Sequence, residues 1–264
     1  MPLPLLCESC GYSIGTLPAH APCPECGRPA TQSLPEYRTG SPWQVRPSIW
    51  SWVRTNWRVL RHPDDLYERV MIVPGKGRGL LRLNVVVAAF FLVDPWTGVL
   101  VGDPARAARN TDRLSETITY AWVLGVQVGA AALILLALTW VEALGLRFFG
   151  ARRGWRVTRD VAGQVCAHAS VGWIFAALFP LVALALSTAL VRNFPEWGGR
   201  FMNHRIDLSA FTPWTRRVSV SELVTLLGLV GGFLGGLMIF EMLVYVGVRR
   251  CRYANAPSED PRAG

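Results

Sequence analysis

The chain has 264 residues, 51% hydrophobic and only 17% charged, with 27 basic against 18 acidic side chains and a mean hydropathy of +0.28. A soluble domain averages roughly 25% charge, so an ordinary globular profile is excluded, and so are disordered, collagen-like and disulfide-scaffold compositions. The apolar residues gather into a few long stretches, which makes a bilayer the expected solvent. The net charge of +9 is spread between those stretches, every basic residue but Lys76 being arginine. That distribution speaks against nucleic acid as a partner. Met1 to Leu6 lacks the basic and apolar regions of a signal peptide, so insertion is expected to rest on internal segments.

Residues 1–30 hold two matched motifs, Cys7-Glu8-Ser9-Cys10-Gly11 and Cys23-Pro24-Glu25-Cys26-Gly27, with residues 11 to 22 between them. A C-x-x-C followed by Gly predicts a tight knuckle, in which backbone N–H groups face the sulfur and Gly takes a positive φ without steric cost. Cys7, Cys10, Cys23 and Cys26 then suit one structural Zn2+ in a closed tetrahedral site. Rubredoxin-like iron and redox chemistry are the lesser alternatives. The module resembles the small zinc ribbons that precede many bacterial membrane domains. With only Arg28 against Glu8 and Glu25 it is a poor match for phosphate, so its expected role is to staple the fold or to meet a protein.

Residues 31–47 read as an extended Pro-rich linker. Residues 48–79 read as an amphipathic helix and a lead-in to the membrane. Trp50, Val53, Trp57 and Leu60 fall on one helical stripe, and Arg54, Arg58 and Arg61 on another. Tryptophan and arginine suit a headgroup layer, so the helix is expected to lie in the membrane plane, with Trp50, Trp57, Arg54 and Arg58 at the lipid interface. Packing on the protein's own surface is the competing reading. His62-Pro63-Asp64-Asp65 ends this helix and starts the next.

Residues 80–250 form the expected transmembrane domain, with spans at 83–102, 117–141, 161–191 and 223–248 and a cytoplasmic tail at 251–264. The fold class is an all-α polytopic membrane protein, a four-helix transmembrane bundle behind a zinc ribbon; a re-entrant third segment would make five spans. Asp94-Pro95 either kinks or ends the first span, and Pro180 kinks the third. Basic residues crowd the approach to the first span (Arg69, Lys76, Arg78, Arg82), the loop from Arg147 to Arg159, and the tail. They outnumber those of the opposite loops, so both termini are expected to be cytoplasmic in the inner membrane. Cysteine zinc ligands suit that reducing compartment, and Cys166 and Cys251 are expected to be free thiols. Gly228, Gly232 and Gly236 recur at four-residue spacing, as do Ala121, Gly125 and Gly129. Such stripes serve close helix packing, within the bundle or, for Gly228, Gly232 and Gly236, in a homodimer.

Ionisable residues inside spans are the first candidates for function. Glu142, His168 and Glu241 fall at about 8, 13 and 12 Å from the cytoplasmic ends at 1.5 Å per residue, and Asp94 is a fourth polar candidate. They suit ion or solute handling, or structural pairing with Arg82 and Arg147. No HExxH, GxSxG, P-loop or GxGxxG motif is present, so catalysis is the minority expectation. Leu60-Arg61-His62-Pro63-Asp64-Asp65-Leu66-Tyr67, the apolar spans after it and Val165-Cys166-Ala167-His168-Ala169-Ser170-Val171-Gly172 resemble the Ypt-interacting protein (Yip) family. The resemblance covers roughly residues 43–250. It implies a membrane scaffold or adaptor with an unknown protein partner and membrane lipids, and it transfers no catalytic residues. The family usually has five spans and no zinc ribbon. The alternative is a small transporter or membrane enzyme using Glu142, His168 and Glu241.

Overall fold

Segments this apolar satisfy their backbone polar groups most readily within themselves, and they fold as helices. The computed structural model describes residues 4–18, 20–101, 113–193, 205–206 and 218–257. Three helices, α1 (Pro42–Val45), α2 (Ile49–Arg61) and α3 (Pro63–Arg69), precede the others. These are α4 (Arg78–Val101), α5 (Arg113–Arg152), α6 (Arg159–Ala169), α7 (Val171–Asn193) and α8 (Val220–Cys251). Three stretches are long and apolar enough to cross a membrane: Thr117–Arg152, Arg159–Ala189 and Leu223–Cys251. The second contains a turn at Ser170, whose hydroxyl donates to the Ala167 carbonyl at 2.7 Å.

The remaining expected span, 83–102, falls on α4, whose side chains are described only to Asp94. The helix passes through Asp94-Pro95 unbroken, and α7 likewise runs through Pro180. The loop arginines of the expected external face, among them Arg106, Arg109, Arg200, Arg216 and Arg217, lie outside the described residues. A two-residue antiparallel pair, β1 (Arg205–Ile206) with β2 (Val218–Ser219), departs from the all-helical expectation; Arg205 opposes Ser219 and Ile206 opposes Val218.

The chain divides into two compact units. The first comprises Met1–Val85, Ile134–Val171 and Phe240–Gly264. Its core includes Val59, Leu66, Tyr67, Val70, Leu80, Val161, Val165 and Leu243. A Cβ on Gly247 of α8 would lie 2.8 Å from both Tyr67 and Val165, so glycine is what lets these elements meet.

Residues 31–47 are a packed segment of this unit rather than the expected extended linker. Ala30–Ser33 and Pro35–Tyr37 form 3-10 turns and Pro42 opens α1. Pro35 and Pro42 stand at first helical positions, where the missing N–H costs nothing. Ser33, Arg38, Ser41 and Gln44 are buried, and Ser41 and Gln44 form a reciprocal capping box. The start of the expected tail is packed too: Cys251, Ala254 and Asn255 are buried.

The second unit comprises Val86–Leu133 and Gly172–Ile239. Within it α7 and α8 approach so closely that a Cβ on Gly236 would lie 2.0 Å from the Ala176 nitrogen. On Gly232 it would lie 2.7 Å from the Pro180 nitrogen, and on Gly228 2.9 Å from the Ala183 Cβ. Trp173 stacks on Phe233 beside them. The stripe of Gly228, Gly232 and Gly236 therefore packs within the chain, one of the two uses expected of it. Gly125 and Gly129 have nothing within 4 Å of such a Cβ.

Candidate functional site

Two short hairpins build the cysteine module. Leu6 bridges Ser13 and Pro22 bridges Pro29, each pair antiparallel. In both, the first cysteine N–H donates across the turn, Cys7 to Tyr12 O at 2.7 Å and Cys23 to Arg28 O at 2.8 Å. The glycine after each second cysteine returns to the first cysteine's carbonyl, Gly11 to Cys7 and Gly27 to Cys23. Those glycines have φ of +86° and +72°, the left-handed region the motif anticipates.

The four sulfurs of Cys7, Cys10, Cys23 and Cys26 lie within 4.8 Å of one another and are placed to hold a metal ion. Cys7 Sγ is 3.5 Å from Cys26 Sγ, and Cys10 Sγ is 3.6 Å from Cys23 Sγ. Ligands at 2.3 Å on a tetrahedron stand about 3.8 Å apart, whereas a disulfide needs roughly 2.05 Å. The donor set thus fits a tetrahedral thiolate metal. Burial opposes ionisation of Cys7, but the N–H groups of Cys10 and Ser9 bring its thiol down to about 7. Burial pushes the Cys10 thiol up to about 12.

The module is fastened to the rest of the first unit by buried polar side chains. Arg38 donates from Nε and Nη2 to the two carboxylate oxygens of Glu8, both at 2.9 Å. Its Nη1 donates to the carbonyls of Tyr67 and Val70, also at 2.9 Å. Asn255 brackets the first hairpin: its Nδ2 donates to the carbonyls of Leu6 and Ser33, and its Oδ1 accepts from Leu6 N. Arg252 donates to Ser9 O at 2.8 Å. A Cβ on Gly11 would lie 2.9 Å from the Tyr253 ring, so the knuckle rests on the chain just after α8.

His168 is fully buried, and both of its ring nitrogens are engaged. Nδ1 lies 2.8 Å from the Gln164 carbonyl, which can only accept, so Nδ1 carries the proton. Neutral Nε2 then accepts from Ser41 Oγ at 3.0 Å. Gln44 joins the same network, donating from Nε2 to Gln164 Oε1 and to Met71 O at 2.9 Å and accepting from Met71 N. A second buried network centres on Asn84. Its Oδ1 accepts from Trp52 Nε1 at 2.6 Å and Asn56 Nδ2 at 3.0 Å, and its Nδ2 donates to Ser170 Oγ at 2.9 Å.

Glu142 and Glu241 line one cavity of about 250 Å³, together with Arg153 and Tyr245. Neither carboxylate has a hydrogen bond or ion pair among the described residues, so the expected pairing with Arg82 and Arg147 is not formed. His168 does not line that cavity. Two of the three intramembrane candidates converge, and the third is tied to Ser41 and Gln164. Asp94 accepts from the Tyr120 hydroxyl at 3.2 Å within the second unit.

Helix α2 is turned inside out by the standards of a soluble protein. It buries Ser51, Thr55 and Asn56 alongside Val59, while Ile49, Trp50, Val53, Trp57 and Leu60 are exposed, Trp50 at 65% and Trp57 at 60%. Arg54 and Arg58 are exposed as well, and the guanidiniums of Arg54 and Arg61 sit over the rings of Trp50 and Trp57. No family model, curated protein or solved structure matches the chain. Arg38, Gln44, Asn84, Gln164 and Asn255 did not stand out in the sequence. Asn84 alone carried a signal, an amide at the edge of an apolar run.

Proposed function

We propose that the chain is an integral membrane scaffold or adaptor. Its cysteine module holds one structural Zn2+ and, with both termini, faces the cytoplasm; α4 joins the other spans in a four-helix bundle. The observation that carries this reading is the exposed apolar face of α2, beside which α3 and the cysteine module are packed into the same unit. Five apolar side chains left in water by the fold gain about 5 kcal/mol on entering a headgroup layer. The arginines between them then meet lipid phosphates. The closed four-thiolate site leaves a metal no open position for substrate, and His168 is committed to Gln164 and Ser41. Both features favour a platform over a catalyst. The likeness of Leu60 to Tyr67 to the Yip family accords with this reading.

The unpaired carboxylates of Glu142 and Glu241 favour a second reading, a small transporter or membrane enzyme. Photocrosslinking of the full chain in native membranes separates the two. The scaffold reading expects a captured protein that is lost from the Cys7→Ser/Cys23→Ser variant and kept by Glu142→Gln/Glu241→Gln. A solute flux that disappears in Glu142→Gln/Glu241→Gln, with capture unchanged by the cysteine substitutions, overturns it.

A further inference from the structure

A cavity of about 650 Å³ in the first unit is separate from the cysteine module and from the cavity of Glu142 and Glu241. Its lining includes three arginines, Arg78, Arg147 and Arg159, all exposed, and none of their side chains has a hydrogen bond or ion pair among the described residues. Asp160 is the acidic group on the wall, leaving two positive charges in excess. Arg78 is the first residue of α4 and Arg159 the first of α6, so two helix N-termini with their positive poles open onto the same space. On α6 the Thr158 hydroxyl caps the Val161 N–H.

Apart from Thr139, Gln164 and Cys166, the remaining wall is apolar or glycine. Along α5, Leu136, Trp140, Leu144 and Arg147 line the cavity from one face. At 1.5 Å per residue that face runs about 16 Å from leucine to guanidinium. An apolar channel ending in unpaired arginines matches an anionic head on an alkyl chain. It does not match a soluble anion, which would leave the leucines and Trp140 uncovered.

We infer that this cavity binds a phospholipid with a net negative headgroup, its phosphate held by Arg78, Arg147 and Arg159 and an acyl chain laid along Leu144, Trp140 and Leu136. Zwitterionic lipids are disfavoured because their ammonium would meet the arginines. The inference rests on the membrane reading above, which puts these helix ends at the bilayer surface.

The test is native mass spectrometry of the full chain released from nanodiscs of equal phosphatidylcholine and phosphatidylglycerol. The intact protein should retain the anionic lipid at least tenfold over the zwitterionic one. Arg147→Gln/Arg159→Gln should lose that preference, and Arg152→Gln, at the same helix end but off the cavity wall, should keep it. Ala143→Phe, which fills the apolar wall and leaves the arginines in place, should also reduce retention. Equal retention of the two lipids, or the same loss in Arg152→Gln, overturns the proposal. Stabilisation of delipidated protein by inorganic phosphate as strong as that by the lipid also overturns it, in favour of a soluble-anion site. A chain recovered without detergent from the soluble fraction undoes the membrane reading instead.

Discussion

Replacing Arg38 with methionine keeps most of the side-chain volume and removes the group that joins the cysteine module to α3. Arg38 is 3% exposed and Glu8 8%, so neither Glu8 nor the carbonyls of Tyr67 and Val70 gains water in exchange. Removing one member of a buried pair costs about 3–5 kcal/mol. Each abandoned carbonyl adds about 1 kcal/mol, and the Asn255 N–H that Glu8 still accepts at 3.1 Å offsets part of the loss. The sum stays near 3–5 kcal/mol, or about 10² to 5 × 10³ in a local opening equilibrium. Metal release to a chelator, followed on the full chain in nanodiscs, reads that opening. Arg38→Met should release metal at least a hundredfold faster, and Arg38→Met/Glu8→Gln should recover much of the difference, because no buried charge remains. A single variant within twofold of the wild type would refute the argument that this pair holds the module in place.

Further outcomes follow from the packing. Cys23→Ser should abolish binding of the one metal ion per chain, measured by elemental analysis of the reduced protein; an unchanged metal content would mean that another site holds it. Gly11→Ala should destabilise the module by about 1–3 kcal/mol, since it combines a left-handed φ with a 2.9 Å approach to Tyr253. Limited proteolysis should then cut near Ala254 sooner than in the wild type. Asn84→Leu should lower the detergent-solubilised melting temperature by an amount equivalent to about 2–4 kcal/mol, because Trp52, Asn56 and Ser170 lose their shared partner, while Gly236→Leu should be worse still and Gly125→Leu close to neutral.

What the sequence revealed here was local and periodic. Two C-x-x-C-Gly knuckles, the common face of Trp50, Val53, Trp57 and Leu60, and the close approach permitted by Gly232 and Gly236 each depend on spacing alone. The periodicity could not tell which face of α2 turns toward the protein, because that depends on Asn84, far from it in sequence, accepting from Trp52 and Asn56. Proline density made residues 31–47 read as extended, since the partners that fold them, Met71, Gln164 and His168, lie on other elements. Counting residues from the helix ends gives Glu142, His168 and Glu241 similar expected depths, but such a count leaves rotation about the helix axis undetermined.

The central claim is that α2 lies in the headgroup layer while the cysteine module stands in water. A spin label at Trp57→Cys in nanodiscs tests it directly, because Cys166 and Cys251 are buried and the proposed Zn2+ would shield the four module cysteines from the reagent. The account predicts that the label meets dissolved oxygen more often than a water-soluble nickel complex, while a label at Glu25→Cys shows the reverse. Nickel accessibility at Trp57→Cys equal to that at Glu25→Cys would contradict it.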